Sequence, residues 1–388
     1  MKICDILAIE RMNSRIRFNK PYFTGKEIDY VLQAVEAGKI SGDGGFTKKC
    51  HEFFEKQYGF PKVFLTTSCT DALEMCAILL KIQPGDEVIM PSFTFVSTPN
   101  AFVLRGAGIV FADSESRTPN VDPLHVEALI TPKTRAIVVV HYAGIACEMD
   151  VILSIAQKYR LSVVEDAAQA IDSRYKEKPL GSLGDLAAFS FHESKNVISG
   201  EGGMLVVNET GLTSRAEIIW EKGTNRAAFF RGESDKYTWQ DVGSSFLPSD
   251  VIAAILYAQL ENLQQIQNRR KAIWNAYRDA LSPLEEKGSI KLPEIPAYAT
   301  NNAHMFYILC SSANDRTRLI EHMKQDNIQA IFHYLPLHKS PFYRDQYRGS
   351  DLPNCERYSE CLLRLPLYYE LSDLDVDRIA NSIRSFFG

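Results

Sequence analysis

Residues 134–169 read TRAIVVVHYAGIACEMDVILSIAQKYRLSVVEDAAQ, and this stretch decides the fold. Its two apolar runs, Ala136–Val140 and Ser162–Glu165, are too continuous for strands with one wet face. The segment between them has the length of a crossover, which parallel neighbours require. Outward from here the same alternation recurs. Strands are predicted near Val63–Leu65, Val88–Met90, Ile109–Phe111, Ala187–Phe191 and Met204–Val207. A helix is predicted over Asp71–Lys81, with Leu73, Ala77 and Leu80 on one face. The pattern is that of an α/β domain with an open, mostly parallel sheet of seven strands.

From Ser249 a helical pattern begins. Ile252, Leu256, Leu260 and Leu263 repeat at helical spacing, Ile273, Tyr277 and Leu281 resume it, and Pro283 is expected to end it. Beyond lie two β-like stretches (His304–Leu309 and Ile328–His333), a helix over Asp315–Gln325 and a terminal helix over Asp373–Phe387. The expected organisation is an N-terminal extension over 1–15, a large α/β domain over 16–260 and a smaller α+β domain over 261–388.

Composition narrows the function. The 388 residues are 45% hydrophobic and 23% charged, and acids outnumber bases 48 to 43, which does not describe a nucleic-acid surface. No run approaches the roughly 18 apolar residues of a membrane span. The run Ile6–Ile9 is too short for a signal peptide. Eight cysteines occur without a CxxC pair, so neither a disulfide framework nor a zinc site is indicated, and reduced thiols in the cytosol are expected.

Three segments carry chemistry. Thr66–Asp71 (TTSCTD) follows a strand and opens a helix, where free N–H groups favour an anion. A plain helix cap by Ser68 or Thr70 is the alternative. Asp166 lies just past the C-terminal end of a strand, the edge where ligands sit in open α/β sheets. It suits a protonated ring nitrogen, or else it or Glu165 caps a turn. Lys195 lies in FSFHESKN, again at such an edge and just before Gly200–Gly203. A lysine there can lose its proton by desolvation and form a Schiff base. Phosphate cradle, ring-nitrogen acid and Schiff-base lysine together are the equipment of a pyridoxal 5'-phosphate enzyme.

The stretches IRFNKPYFTGKE, SGDGGFTKKCHEFFEK, TTSCTDALE, PGDEVIMPSFTFVST, VVVHYAG, VVEDAAQA, AFSFHESKN, GEGGM, EKGTNR and HYLPLH resemble the DegT/DnrJ/EryC1/StrS family of sugar aminotransferases. The resemblance runs from about Ile16 to the C-terminus. It implies the type I pyridoxal-phosphate, aspartate aminotransferase-like fold. Within the family, SCTDALEM, NAFVLRGA, HYAGIACEMD, FFRGESDKYTWQDVGSS and NAHMFYI point to members that aminate C4 of a dTDP-linked keto sugar. One departure is the compact loop Val197–Gly200 between the lysine and the glycine turn.

Carried over, the resemblance implies that Lys195 binds the cofactor, Asp166 pairs with the pyridine nitrogen and Gln169 reaches the ring hydroxyl. Phe95 would stack on the ring, although ordinary core is its alternative. Ser68, Cys69, Thr70 and Ser190 would hold the phosphate. Asn225 would reach the phosphate of the neighbouring subunit's cofactor, in a homodimer with shared sites.

On the substrate side, His333, Tyr334 and His338 of HYLPLH are expected at the sugar or a carboxylate. Gly42 and Asp43 are expected in a loop at the mouth of the site, with a simple turn as the alternative. His192 stays open between helper and scaffold. The implied substrates are L-glutamate and dTDP-4-dehydro-6-deoxy-D-glucose, in the cytoplasm. A 3-keto sugar, a different 4-epimer and a non-catalytic cofactor-binding regulator are the other readings. The family's sugar 3-dehydratases lack the Schiff-base lysine, and Lys195 is present.

Overall fold

The computed structural model describes residues 14–388. The expected extension over 1–15, with its apolar run Ile6–Ile9, lies outside the described residues except for Ser14 and Arg15. The larger sheet has seven strands: β1 (Val63–Thr66), β2 (Glu87–Pro91), β3 (Gly108–Ala112), β4 (Thr134–Val140), β5 (Ser162–Asp166), β8 (Leu186–Ser190) and β9 (Gly203–Val207). A small hairpin, β6 (Arg174–Tyr175) and β7 (Lys178–Pro179), stands apart. The order is β1-β9-β8-β5-β4-β2-β3. Only β9 runs antiparallel to its neighbours β1 and β8; the pairings among β8, β5, β4, β2 and β3 are parallel.

Burial explains the unbroken apolar runs. Ala136, Val138, Val88 and Met90 face one buried layer, and Ile137, Val139, Ile89 and Val163 face the other. Each valine, isoleucine or methionine among them contributes about 1.5–3 kcal/mol when fully buried. Helix Cys69–Leu79 covers the first layer through Leu73 and Ala77, and helix Met149–Tyr159 covers the second through Ile152 and Ile155. The first of these helices begins two residues earlier than its apolar pattern, because Ser68 caps it. Among the described residues no helix is long and apolar enough to cross a membrane.

The smaller C-terminal sheet is antiparallel, in the order β10 (Ile290–Lys291), β11 (Phe306–Cys310), β13 (Leu362–Leu365), β12 (Ile331–Phe332). Helix Asp373–Phe387 packs on it, started by a reciprocal cap between Ser372 and Asp375. The long helical pattern is in fact two helices, Asp250–Glu261 and Leu263–Glu286, broken at Asn262. Pro283 does not end the second one. Its missing N–H deprives the Asp279 carbonyl of a donor, and the Ser282 hydroxyl donates to that carbonyl instead at 3.1 Å.

The N-terminal part departs further from expectation. Ile16 joins the core of the small sheet and bridges to Ile328. Helices Glu27–Glu36 and Gly45–Tyr58 follow. The buried Asp250 carboxylate accepts from the N–H groups of Phe46 (3.1 Å) and Thr47 (2.8 Å), an acid placed at a helix N-terminus. A Cβ on Gly44 would lie 2.3 Å from Asp250 Cγ, and one on Gly42 would lie 2.6 Å from Leu247 Cβ. Gly42 and Gly44 therefore admit the Leu247–Asp250 segment. Gly42 and Asp43 are not among the residues that line the cavity described below.

Candidate active site

A cavity of about 730 Å³ opens where β4, β5 and β8 end, and β13 and the segment Phe18–Asn19 close its far wall. Lys195, Asp166, Gln169, Ser68, Cys69, Thr70, Phe95, Ser190, His333 and Tyr334 all line it. Residues far apart in sequence thus meet at the carboxyl edge of the sheet.

Asp166 is the last residue of β5 and is buried. Its Oδ2 accepts from Thr98 Oγ1 at 2.7 Å and its Oδ1 from the Ala168 N–H at 3.2 Å. Burial raises its pKa, against the opposing pull of these bonds and of Lys195. Burial likewise lowers the Lys195 amine from the ordinary lysine value, against the Cys69 thiol and Asp166. A cation at Asp166 favours the carboxylate, so a protonated ring nitrogen is stabilised there.

The adjacent Glu165 is not a turn cap of the ordinary kind. It is fully buried and accepts from His141 Nε2 at 2.9 Å and from the N–H groups of Gly181, Leu183 and Gly184 at 2.7–2.8 Å. It ties β5 to the turn that leads into β8.

Helix Cys69–Leu79 brings its N-terminus to the cavity. Ser68 Oγ accepts from the Asp71 N–H at 3.1 Å, so the cap exists. The N–H groups of Cys69 and Thr70 still have no partner among the described residues, as expected for a first turn. Cap and anion cradle coexist. Thr70 Oγ1 donates to Ser97 Oγ at 2.8 Å, and Ser190 stands at the end of β8. A Cβ on Gly203 would lie 2.3 Å from the Ser68 carbonyl carbon and 2.4 Å from the Cys69 nitrogen. Only glycine lets β9 run so close to the cradle.

Phe95 is 56% exposed, with its ring turned to the cavity and 6.2 Å from that of Tyr334. Ordinary core is therefore not its role in this chain. Gln169 Oε1 accepts from the Ala143 N–H at 2.6 Å, and its Nε2 donates to Tyr334 Oη at 3.2 Å. Tyr334 packs against His333 with ring centroids 3.4 Å apart, and His333 Nδ1 lies 3.0 Å from Tyr142 Oη. His192 also lines the cavity, with Nδ1 2.8 Å from Ser194 Oγ.

Two of the expected residues do not line this chain's cavity, and one of them, Asn225, is expected at the neighbouring subunit's. His338 is buried between Ser92 Oγ (2.7 Å) and Glu356 (3.3 Å), outside the cavity lining. It anchors the turn Leu337–Lys339 to the end of β2, so its placement at the substrate is corrected. Asn225 lies outside the lining of its own chain's cavity. Its Oδ1 accepts from the Thr238 N–H at 2.8 Å, and its Nδ2 donates to Ser234 Oγ and to the Lys236 carbonyl.

Arg364 and His304 were not singled out by sequence, yet both line the cavity. In β13, Leu363 and Leu365 face the small-sheet core, and Arg364 faces the opposite way. Its guanidinium lies 4.7 Å from the Phe18 ring, and its buried Nε has no partner. Among the described residues no carboxylate pairs with it. Burial lowers its pKa. A partly buried guanidinium beside an amine, with a buried Nε that has no partner, suits an anion.

Residues 21–384 match the DegT/DnrJ/EryC1/StrS aminotransferase family. The spore coat polysaccharide biosynthesis protein SpsC of Bacillus subtilis is 34% identical over 388 residues, covering 97% of this chain and 98% of that protein. The aminotransferase TlmJ of Streptoalloteichus hindustanus has the same architecture with a TM-score of 0.88 at 30% identity, over 96% of this chain and 98% of that one. Spr1654 of Streptococcus pneumoniae, solved in PLP and PMP forms, superposes with a TM-score of 0.88 at 26% identity and the same coverage. Anion cradle, exposed aromatic plate, buried acid and buried amine on one cavity fit pyridoxal 5'-phosphate. On these grounds the cofactor is pyridoxal 5'-phosphate, and the chain belongs to the DegT/DnrJ/EryC1/StrS aminotransferase family.

Proposed function

We propose that this sugar aminotransferase moves the amino group of L-glutamate to dTDP-4-dehydro-6-deoxy-D-glucose. The products are dTDP-4-amino-4,6-dideoxy-D-galactose, for bacterial surface polysaccharide, and 2-oxoglutarate. The observation that carries the amino-donor half is the meeting of Lys195, Asp166 and the unpaired Arg364 on one cavity. The stretches SCTDALEM, NAFVLRGA and FFRGESDKYTWQDVGSS support the C4 keto sugar, and the name of the SpsC relative supports a polysaccharide setting.

Pyridoxal phosphate, when bound, supplies the electron sink for ionising a bond at the amino carbon. The chain supplies the rest. Asp166 holds the proton on the ring nitrogen. Phe95 would fix the plane of the ring, and Gln169 would lie toward its hydroxyl. Ser68, Cys69, Thr70 and Ser190 hold the phosphate at the helix start. Lys195 binds the cofactor at rest. Its Nζ then takes the proton from the donor's Cα and later returns a proton to C4 of the sugar. Arg364 holds a donor carboxylate, and His333 and Tyr334 border the sugar. The reading includes a homodimer in which Asn225 reaches the other subunit's phosphate.

The test is incubation of the holoenzyme with glutamate and a panel of nucleotide-linked keto sugars, with products identified by NMR. The expected product carries an axial amine at C4. Amination at C3, an equatorial C4 amine or no use of glutamate would overturn the reading.

A further inference from the structure

His304 is held in one place and one tautomer by groups that the mechanism above leaves unused. Asn196 Nδ2 donates to the Asn302 carbonyl and to Gln267 Oε1, each at 2.8 Å. A backbone carbonyl only accepts, so the orientation of this amide is settled, and its Oδ1 is an acceptor. His304 Nδ1 lies 2.8 Å from that oxygen and must carry the hydrogen. A neutral imidazole has one N–H, which leaves Nε2 as a bare lone pair. Burial, together with the cations Lys195, Arg270 and Arg364, keeps the ring neutral. His304 lines the cavity, and its Nε2 meets no partner among the described residues.

The backbone around it is bolted as firmly. Ala303 has φ +52°, a left-handed conformation unusual for alanine. The buried Arg270 guanidinium donates to the Ala303 carbonyl (3.1 Å) and the His304 carbonyl (2.7 Å). Asn302 Nδ2 donates to the carbonyls of Gln169 and Ile171, and its Oδ1 accepts from the His304 N–H at 3.0 Å. Asn196 directly follows Lys195, so the imidazole is indexed to the reacting amine.

We infer that His304 Nε2 accepts a hydrogen bond from a sugar hydroxyl next to the carbonyl carbon that receives the amine. The inference rests on the sugar-aminotransferase reading above. Two unlike substrates must use this cavity in turn. Glutamate brings carboxylates, which a bare lone pair repels, and has no hydroxyl. The keto sugar brings hydroxyl donors beside its carbonyl. A donor-only guanidinium and an acceptor-only imidazole thus divide the two substrates between them.

The test compares kcat/KM for the keto sugar and for an analogue with hydrogen in place of that hydroxyl, using the holoenzyme. The wild-type protein is expected to favour the hydroxylated sugar by about tenfold or more. In His304→Phe the ratio should fall toward one, and in His304→Gln, whose amide oxygen can accept, much of it should return. An undiminished ratio in His304→Phe overturns the inference. Nitrogen-15 NMR of histidine-labelled holoenzyme gives a reading independent of any variant. A bare Nε2 that shifts with the keto sugar and not with the analogue is expected; a protonated Nε2, or equal shifts with both, overturns the inference. Failure of the wild-type protein to release 2-oxoglutarate from glutamate would instead overturn the parent function.

Discussion

Thr98 Oγ1 stands 2.7 Å from Asp166 Oδ2, and Thr98 in turn lies 2.8 Å from Thr94 Oγ1. The cofactor acid is thus held at the end of a short hydroxyl chain. The hydroxyl favours the charged carboxylate, while burial opposes it. Removing the hydroxyl in Thr98→Val raises the Asp166 pKa further. The acid limb of the kcat/KM profile should therefore move to higher pH, with activity down about tenfold or more at neutral pH. Asp166→Asn should cost several orders of magnitude while phosphate contacts retain much of the cofactor. A Thr98→Val profile that overlays the wild type would remove the hydroxyl from the mechanism.

The Glu165–His141 pair predicts acid behaviour. Burial pushes Glu165 upward, but bonds from His141 and from the Gly184 and Gly181 N–H groups outweigh it and hold the carboxyl below its ordinary range. A depressed folded pKa means stability that is present above the unfolded value and lost as pH falls through the folded one. Glu165→Gln turns an NH₂ toward backbone donors, since each carboxylate oxygen accepts at least one N–H. The expected loss is about 3 kcal/mol or more at pH 7, by urea unfolding. The gap should narrow below the ordinary carboxylate range. A gap that is constant with pH would contradict the assignment.

These two acids show how far sequence reaches. The seven long-sheet strands were legible because both faces of each are buried, which leaves an apolar run in the chain itself. The positions of Asp166 and Lys195 were legible because the first ends such a strand and the second lies shortly past one. Arg364 was not. In LLRLPL it reads as a charge on a strand, and only the meeting of β13 with Phe18, 346 positions earlier in sequence, covers part of it. His304 hid for the same reason, its tautomer being set by Asn196, Gln267 and Asn302. His338 misled because its motif was read whole, while the chain turns at Pro336 and carries it to Ser92.

Asn225 offers a test of assembly. It braces the segment 225–239, whose Phe230 and Trp239 are 68% and 83% exposed, apolar surface suited to burial against a second copy. If Asn225 serves the other subunit's site, mixing Lys195→Ala with Asn225→Ala gives a heterodimer with one doubly defective and one intact site. Activity should return after subunit exchange, provided each variant alone is impaired. If Asn225 acts only within its own chain, both sites stay defective. Demonstrated exchange without recovery would sink the shared site.

Arg364 should show opposite effects on stability and function. Its side chain is partly buried over Phe18, with no carboxylate partner among the described residues and an unsatisfied buried Nε, so the protein bears part of the cost of desolvating the charge. Arg364→Met keeps the length and apolar stem while removing that charge. Replacing buried charge by packed apolar atoms is often stabilising by about 1–4 kcal/mol, so the midpoint of urea unfolding should hold or rise. The donor half-reaction should fail. Losing a desolvated charge partner costs about 2–5 kcal/mol, which is a KM for glutamate raised roughly 30-fold to several thousandfold. Arg364→Lys should fall between, since an ammonium restores charge without the two-pronged geometry. The readout is the rate of 2-oxoglutarate release against glutamate concentration, alongside the unfolding curve. If Arg364→Met binds glutamate normally, the carboxylate is held elsewhere. If it instead unfolds readily, the guanidinium is a structural strut, and its lack of a partner has another cause.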